Sequence, residues 1–116
     1  MLKDNFMINP ERWKKDYVQR LVSQSYYANL LGKFEEGEKM SLEALKVDST
    51  QHIAYTNLAA SLLFQGKIKK AQKLYRQYKN ELKDGFLNDF LELERLHVFP
   101  KEYIADVERI KNFLKE

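Results

Sequence analysis

Cysteine is absent from the 116-residue chain, which carries only two prolines and four glycines. Without cysteine there is no disulfide scaffold, no thiol nucleophile, no zinc finger and no Cys-ligated iron–sulfur cluster. So little glycine and proline argues against loop-rich all-β folds, collagen and disordered linkers. Long hydrophobic runs are missing too. The best stretch, residues 58–64 (LAASLLF), is interrupted by Ser61 and falls short of the roughly 18 apolar residues of a membrane span. Neither charge sign dominates, since 20 Lys+Arg face 17 Asp+Glu in an interspersed pattern, net +3. A nucleic-acid binder usually concentrates its basic residues on one face, whereas a mixed surface mainly confers solubility. The opening MLKDNFMINP has no apolar core before a small-residue cleavage site, so the expectation is a cytoplasmic chain. The length is that of one domain, which buries about two-thirds of its unfolded surface.

What is present is a period. Gly32 lies in LLGKFEEG and Gly66 in FQGKIKKA, 34 residues later, and the next step of the same size lands on Pro100 in VFPKEYIA. Lys follows each glycine, then an apolar residue (Phe34, Ile68), then a small one (Gly37, Ala71), with Ala105 at the third phase. Turn signals at that spacing mark stacked helix–turn–helix units. Between them the residues read as helices. Asn9-Pro10 supplies an N-cap and a proline at the first helical position. Trp13, Tyr17, Leu21, Gln24, Ala28 and Leu31 then follow at helical spacing. Further helices are expected over residues 34–47, 51–64, 68–82, 86–97 and 100–114, with Lys83-Asp84-Gly85 breaking the chain. No stretch alternates with the period of a half-buried strand. The expected fold is all-α, three antiparallel helix pairs.

Residues 52–85 resemble a tetratricopeptide repeat (TPR) position by position. Tyr55, Asn57-Leu58-Ala59, Gly66, Ile68, Ala71 and Tyr75 stand where that family has aromatic, N-L-G/A, glycine, apolar, alanine and aromatic residues. Ala59 and Ala71 are small enough for two helices to approach closely. Tyr78 departs from the pattern, standing where the family has a second alanine. Residues 18–51 resemble the repeat in Gly32, Phe34, Ala44, Leu45, Val47 and Asp48, but have Gln24 and Ser25 where L-G belongs. Residues 86–116 keep the outline only, with Asp89, Glu92 and Arg109 at positions apolar or aromatic in the family. Such decay suits a terminal capping unit. The resemblance implies a right-handed superhelical stack of three TPR-like hairpins. On that division residues 1–9 form an extension, and residues 10–116 one domain of units 10–51, 52–85 and 86–116.

The family binds partners on the concave face formed by the first helix of each pair. Carried over by position, that face comprises Val22, Tyr26, Asn29, Leu30, Ile53, Thr56, Asn57, Ala60, Leu63 and Phe64, joined by Leu87, Phe90, Leu91, Glu94 and His97. The lining is apolar and suits an amphipathic helix or apolar peptide. Tyr26, Leu30, Phe64 and Phe90 would anchor such a partner, while Asn29 and Asn57 orient its backbone. The chain's own Phe6-Met7-Ile8 or a second copy would also fit over it. A carboxylate clamp of the chaperone-adaptor kind is not expected. Of its five polar positions only Asn57 is kept, the others being Val22, Tyr26, Leu87 and Leu91.

The basic run Lys67, Lys69, Lys70, Lys73, Arg76 and Lys79 falls on the outward side of the fourth helix, where solvated charge is ordinary. Its neighbours Tyr75 and Tyr78 sit at packing positions rather than on a base-stacking face. His52 and His97 are far apart in the chain, with no second ligand at metal spacing. His97 ends a helix, where a cation is favoured. No serine has a neighbouring base, and no glycine-rich phosphate loop occurs. The expectation is a non-catalytic protein-interaction module that uses no cofactor, metal, nucleic acid or membrane. The alternative is a structural terminal TPR segment that packs on an upstream domain of its own protein or on a second copy.

Overall fold

Asn9 and Pro10 open the first helix as their chemistry dictates. The Asn9 side chain accepts a hydrogen bond from the Glu11 backbone N–H at 2.9 Å, and Pro10 occupies the first helical position. A computed structural model describes residues 9–116. Phe6, Met7 and Ile8, and with them the expectation that they cover the groove, lie outside the described residues. The helices are α1 (Pro10–Leu30), α2 (Phe34–Val47), α3 (Ile53–Leu63), α4 (Ile68–Gln77), α5 (Lys79–Arg95) and α6 (Ile104–Lys115). A 3₁₀ turn, Lys101–Tyr103, leads into α6, and there is no strand among the described residues. The protein is all-α.

Three turns share one geometry. After α1, Lys33 N–H bonds to the Ala28 carbonyl (2.8 Å) and Gly32 N–H to that of Asn29 (2.9 Å). After α3, Lys67 bonds to Leu62 (2.9 Å) and Gly66 to Leu63 (3.0 Å). After α5, Val98 bonds to Leu93 (3.2 Å) and His97 to Glu94 (3.1 Å). Each is a Schellman ending, which needs one residue with left-handed backbone. Gly32 (φ 78°) and Gly66 (φ 84°) take that conformation without a Cβ penalty, whereas His97 (φ 56°) bears one.

Several expectations change here. The third left-handed turn falls at His97, three residues ahead of Pro100, so the period slips. Pro100 precedes the 3₁₀ turn instead, and Ala105 is exposed rather than packed. Lys83-Asp84-Gly85 does not break the chain, because it lies inside α5. The joint between α4 and α5 is Tyr78 (φ −108°, ψ 15°), whose ring stacks on Tyr55 with centroids 4.3 Å apart. Burial of Phe86, Phe90 and Leu93 carries the helix through Gly85. The glycine itself lets α5 approach α3, since a Cβ there would sit 3.2 Å from the Thr56 methyl. On α1 the inward stripe is Val18, Leu21, Ser25, Ala28 and Asn29. Trp13 (57% exposed) and Leu31 (69%) point outward, as does Gln24. Leu21 and Ala28 of the expected stripe do face the interior, joined there by Val18, Ser25 and Asn29.

α3 is the centre of the molecule. All its residues except Ile53 and Tyr55 are buried, the polar Thr56, Asn57 and Ser61 included. It packs against α1, α2, α4 and α5. Consecutive helices are neighbours throughout, α1, α3 and α5 touch one another, and α4 touches α6. Ala59 and Ala71 are fully buried between α3 and α4. The outline is elongated, 59 × 27 × 21 Å, with the main core running from Phe34 to Leu114 and a smaller cluster of Val18, Leu21, Ala44 and Ala54 near α1. Among the described residues no helix is long and apolar enough to cross a membrane.

Candidate interaction cleft

The polar residues expected to face a partner are spent inside the molecule. Asn57 Nδ2 donates to the Val22 carbonyl (3.0 Å) and to Ser25 Oγ (2.8 Å). Asn29 Nδ2 donates to the Asn57 carbonyl (3.0 Å), and Ser61 Oγ donates to Asn29 Oδ1 (2.9 Å). These bonds tie α1 to α3 and satisfy each buried group, as a low-dielectric interior requires. Gly37 of α2 passes directly over them. A Cβ on it would lie 2.7 Å from Ser61 Oγ and closer still to Asn29 Oδ1.

Of the expected groove residues, Asn29, Thr56, Asn57, Ala60, Leu63, Phe64 and Phe90 are buried. Phe64 and Phe90 belong to the core, whereas Thr56 and Asn57 form the floor of an open cleft and Asn29 and Ala60 border a small gap. Phe64 is an aromatic hub. Its ring lies 5.2 Å from Phe34, 5.1 Å from Phe99, 6.2 Å from Tyr103 and 6.4 Å from Phe90, centroid to centroid. Repeat position locates a residue on a helix. It does not say whether the side chain points between the helices or away from them.

Eight of the expected residues remain accessible. Val22, Tyr26, Leu30, Leu87 and Glu94 are half-buried, and Ile53 (61%), Leu91 (61%) and His97 are exposed. Val22, Tyr26 and Ile53 line one open cleft of about 350 Å³ formed by α1, α3 and α5. Leu30 flanks a small gap beneath it, together with Tyr26, Asn29, Ala60, Asp89 and Leu93. Ser23, Thr56, Asn57, Leu82, Gly85, Asn88 and Asp89 complete the cleft. Leu82 and Gly85 escaped sequence reasoning because Leu82 was expected to end the preceding helix and Gly85 to lie in the break after it, whereas both belong to α5. Asp89 stood out at a normally apolar position, but decay of a terminal unit accounted for it equally well.

Asp89 is the chemically unusual group of the cleft. Burial pushes its carboxyl up from 3.8 to about 7, opposed by the neighbouring Thr56 hydroxyl. Tyr26 is raised as well, first by burial and then by the charges of Asp89 and Glu92. Arg95, close enough to act on Tyr26, is engaged with Glu92 at 2.7 Å. Among the described residues Asp89 forms no ion pair.

The far side of the molecule differs. Between α4 and α6, a pocket of about 160 Å³ is lined by Gln72, Tyr75, Arg76, Arg109, Ile110 and Phe113, and the Lys79 ammonium lies 4.5 Å from the Phe113 ring centre. Arg109 is held by Asp106 at 3.2 Å. Lys67, Lys69, Lys70, Lys73 and Arg76 are exposed around α4, and Lys67 pairs with Glu38 at 2.7 Å. His52 Nδ1 lies 2.7 Å from Glu81, remote from His97 in the chain. Among the described residues no three His, Asp or Glu side chains lie close enough together to hold a metal ion. Comparison with protein-family models, curated proteins and solved structures finds no match to the chain.

Proposed function

We propose that the protein is a non-catalytic, cytoplasmic protein-interaction module of the TPR type, a right-handed stack of three helical hairpins that binds a partner peptide or helix in the α1–α3–α5 cleft. The observation that carries this reading is the cleft itself. The first helix of each pair contributes a wall, and Val22, Tyr26, Ile53 and Leu82 offer apolar surface there. Support for the repeat comes from the 34-residue step between Gly32 and Gly66, their matching left-handed turns, and the mutual contact of α1, α3 and α5. Binding energy would come from covering this surface, at ~25 cal/mol per Å² of apolar area. Ile53 is the residue to test, because it is exposed and outside the core. Selection of a random-peptide library on the wild-type protein should yield ligands that Ile53→Asp no longer holds, with its helical circular dichroism unchanged. Ligands that bind both proteins equally would place the interaction elsewhere.

A second reading has its own support. Trp13, Tyr27, Leu31 and Leu42 are all large, apolar and exposed on the first helix pair. Such a surface suits an end of the stack that is normally covered by an upstream domain or a second copy. Sedimentation over a concentration series separates the two. A constant monomer favours the open cleft, and a tight dimer favours the covered end.

A further inference from the structure

The apolar walls of the cleft say that a partner enters, and Asp89 says what kind. The Asp89 carboxyl is half-buried in the cleft wall, and the Thr56 hydroxyl beside it donates to the Ile53 carbonyl at 2.7 Å. Among the described residues, the charged and titratable groups around it supply no free cation. From α1 comes the Tyr26 phenol, from α4 the buried Tyr75 phenol, and from α5 Glu92, already paired with Arg95. A purely apolar partner would complete the burial of an uncompensated carboxylate, and an acidic partner would add a like charge. A long basic side chain does neither. Its stem covers apolar surface while its charged head reaches a polar group, and a charge-assisted hydrogen bond to carboxylate is among the stronger kinds.

Resting on the interaction-module reading, we propose that the cleft receives a lysine or arginine set among apolar residues of the partner, its stem against Val22, Tyr26, Ile53 and Leu82 and its cation on Asp89. Proton and partner then compete for one carboxyl. Affinity for a basic peptide rises with pH across the titration of Asp89, by at most about tenfold per pH unit for a single linked proton. It levels off above that range.

The experiment uses the whole chain as bait for the same random-peptide library, followed by titration of the selected peptides. The expected ligands share one Lys or Arg flanked by apolar residues. They bind Asp89→Asn at least about tenfold more weakly, in line with the loss of a desolvated charge partner. Replacing the peptide's basic residue by norleucine should bring wild type and Asp89→Asn to the same affinity and remove the pH dependence. Thermal melting of Asp89→Asn, expected to match or exceed wild type, confirms that the variant is folded. Ligands lacking a basic residue but lost on Ile53→Asp would overturn the basic anchor and leave the cleft standing. Ligands indifferent to both substitutions, or no ligands at all, would overturn the cleft reading and this inference with it.

Discussion

Replacing Gly37 by alanine should destabilise the protein, although glycine to alanine inside a helix ordinarily does the reverse. Alanine gains about 1 kcal/mol in intrinsic helix propensity. Against that, the new methyl would meet Ser61 Oγ at 2.7 Å and the Asn29 side chain more closely still. Asn29 cannot simply turn away, because its amide holds the Asn57 carbonyl at 3.0 Å and accepts from Ser61 at 2.9 Å. Losing these two bonds strands buried polar groups at about 1–3 kcal/mol each. Partial relaxation of α2 keeps the gross loss near 2–4 kcal/mol, so the net destabilisation is about 1–3 kcal/mol. The assay is urea unfolding followed by circular dichroism, with wild type, Gly37→Ala, Asn29→Ala and the two substitutions combined. The combined variant makes room for the methyl, so its loss should be smaller than the sum of the two single losses. A Gly37→Ala protein as stable as wild type, or more so, would refute the close crossing of α2 over the Asn29–Ser61 pair.

Further consequences follow from particular residues. Phe64→Asp should abolish the folded state, read as loss of cooperative melting. Truncating a buried aromatic already costs about 3–5 kcal/mol, and the carboxylate adds a buried charge. His97→Gly should raise stability by about 1 kcal/mol in the same urea assay, by relieving a left-handed backbone at a non-glycine residue. Asp89 predicts a pH dependence with a definite sign. The unfolded carboxyl loses its proton at about 3.8 and the folded one at about 7, so the folded state binds more protons between those values. Stability from this group therefore falls as pH rises through that window, by on the order of 2–4 kcal/mol, and stays level above it. Asp89→Asn should abolish the decline, measured as the urea midpoint against pH.

Legibility in the sequence varied with the physical nature of each signal. Gly32 and Gly66 announced their turns because left-handed backbone strongly prefers glycine. Asn9-Pro10 announced a helix start for a comparably local reason. The joint at Tyr78 carried no such mark. It exists because Tyr55 and Tyr78 stack and because Phe86, Phe90 and Leu93 hold α5 onto the core, all of which depends on distant residues. His97 took the third turn without glycine, and the residues that follow it, Val98 and Phe99, pack on the core. At the candidate site, position along the repeat placed Val22, Tyr26, Leu30 and Ile53 on the accessible side. It could not separate Asn29 and Asn57, which bond inward, from groups that face water. Asp89 was visible as an anomaly whose meaning depended on Leu82, Gly85 and Thr56 gathering around it.

The most direct test of the cleft is to map a bound peptide by NMR. A library-selected peptide would be titrated into ¹⁵N-labelled protein while the amide resonances are followed. Shifts concentrated at Val22, Ser23, Tyr26, Ile53, Leu82 and Asp89 are the predicted outcome. Shifts concentrated instead at Gln72, Arg76, Arg109 and Phe113, between α4 and α6, would contradict it.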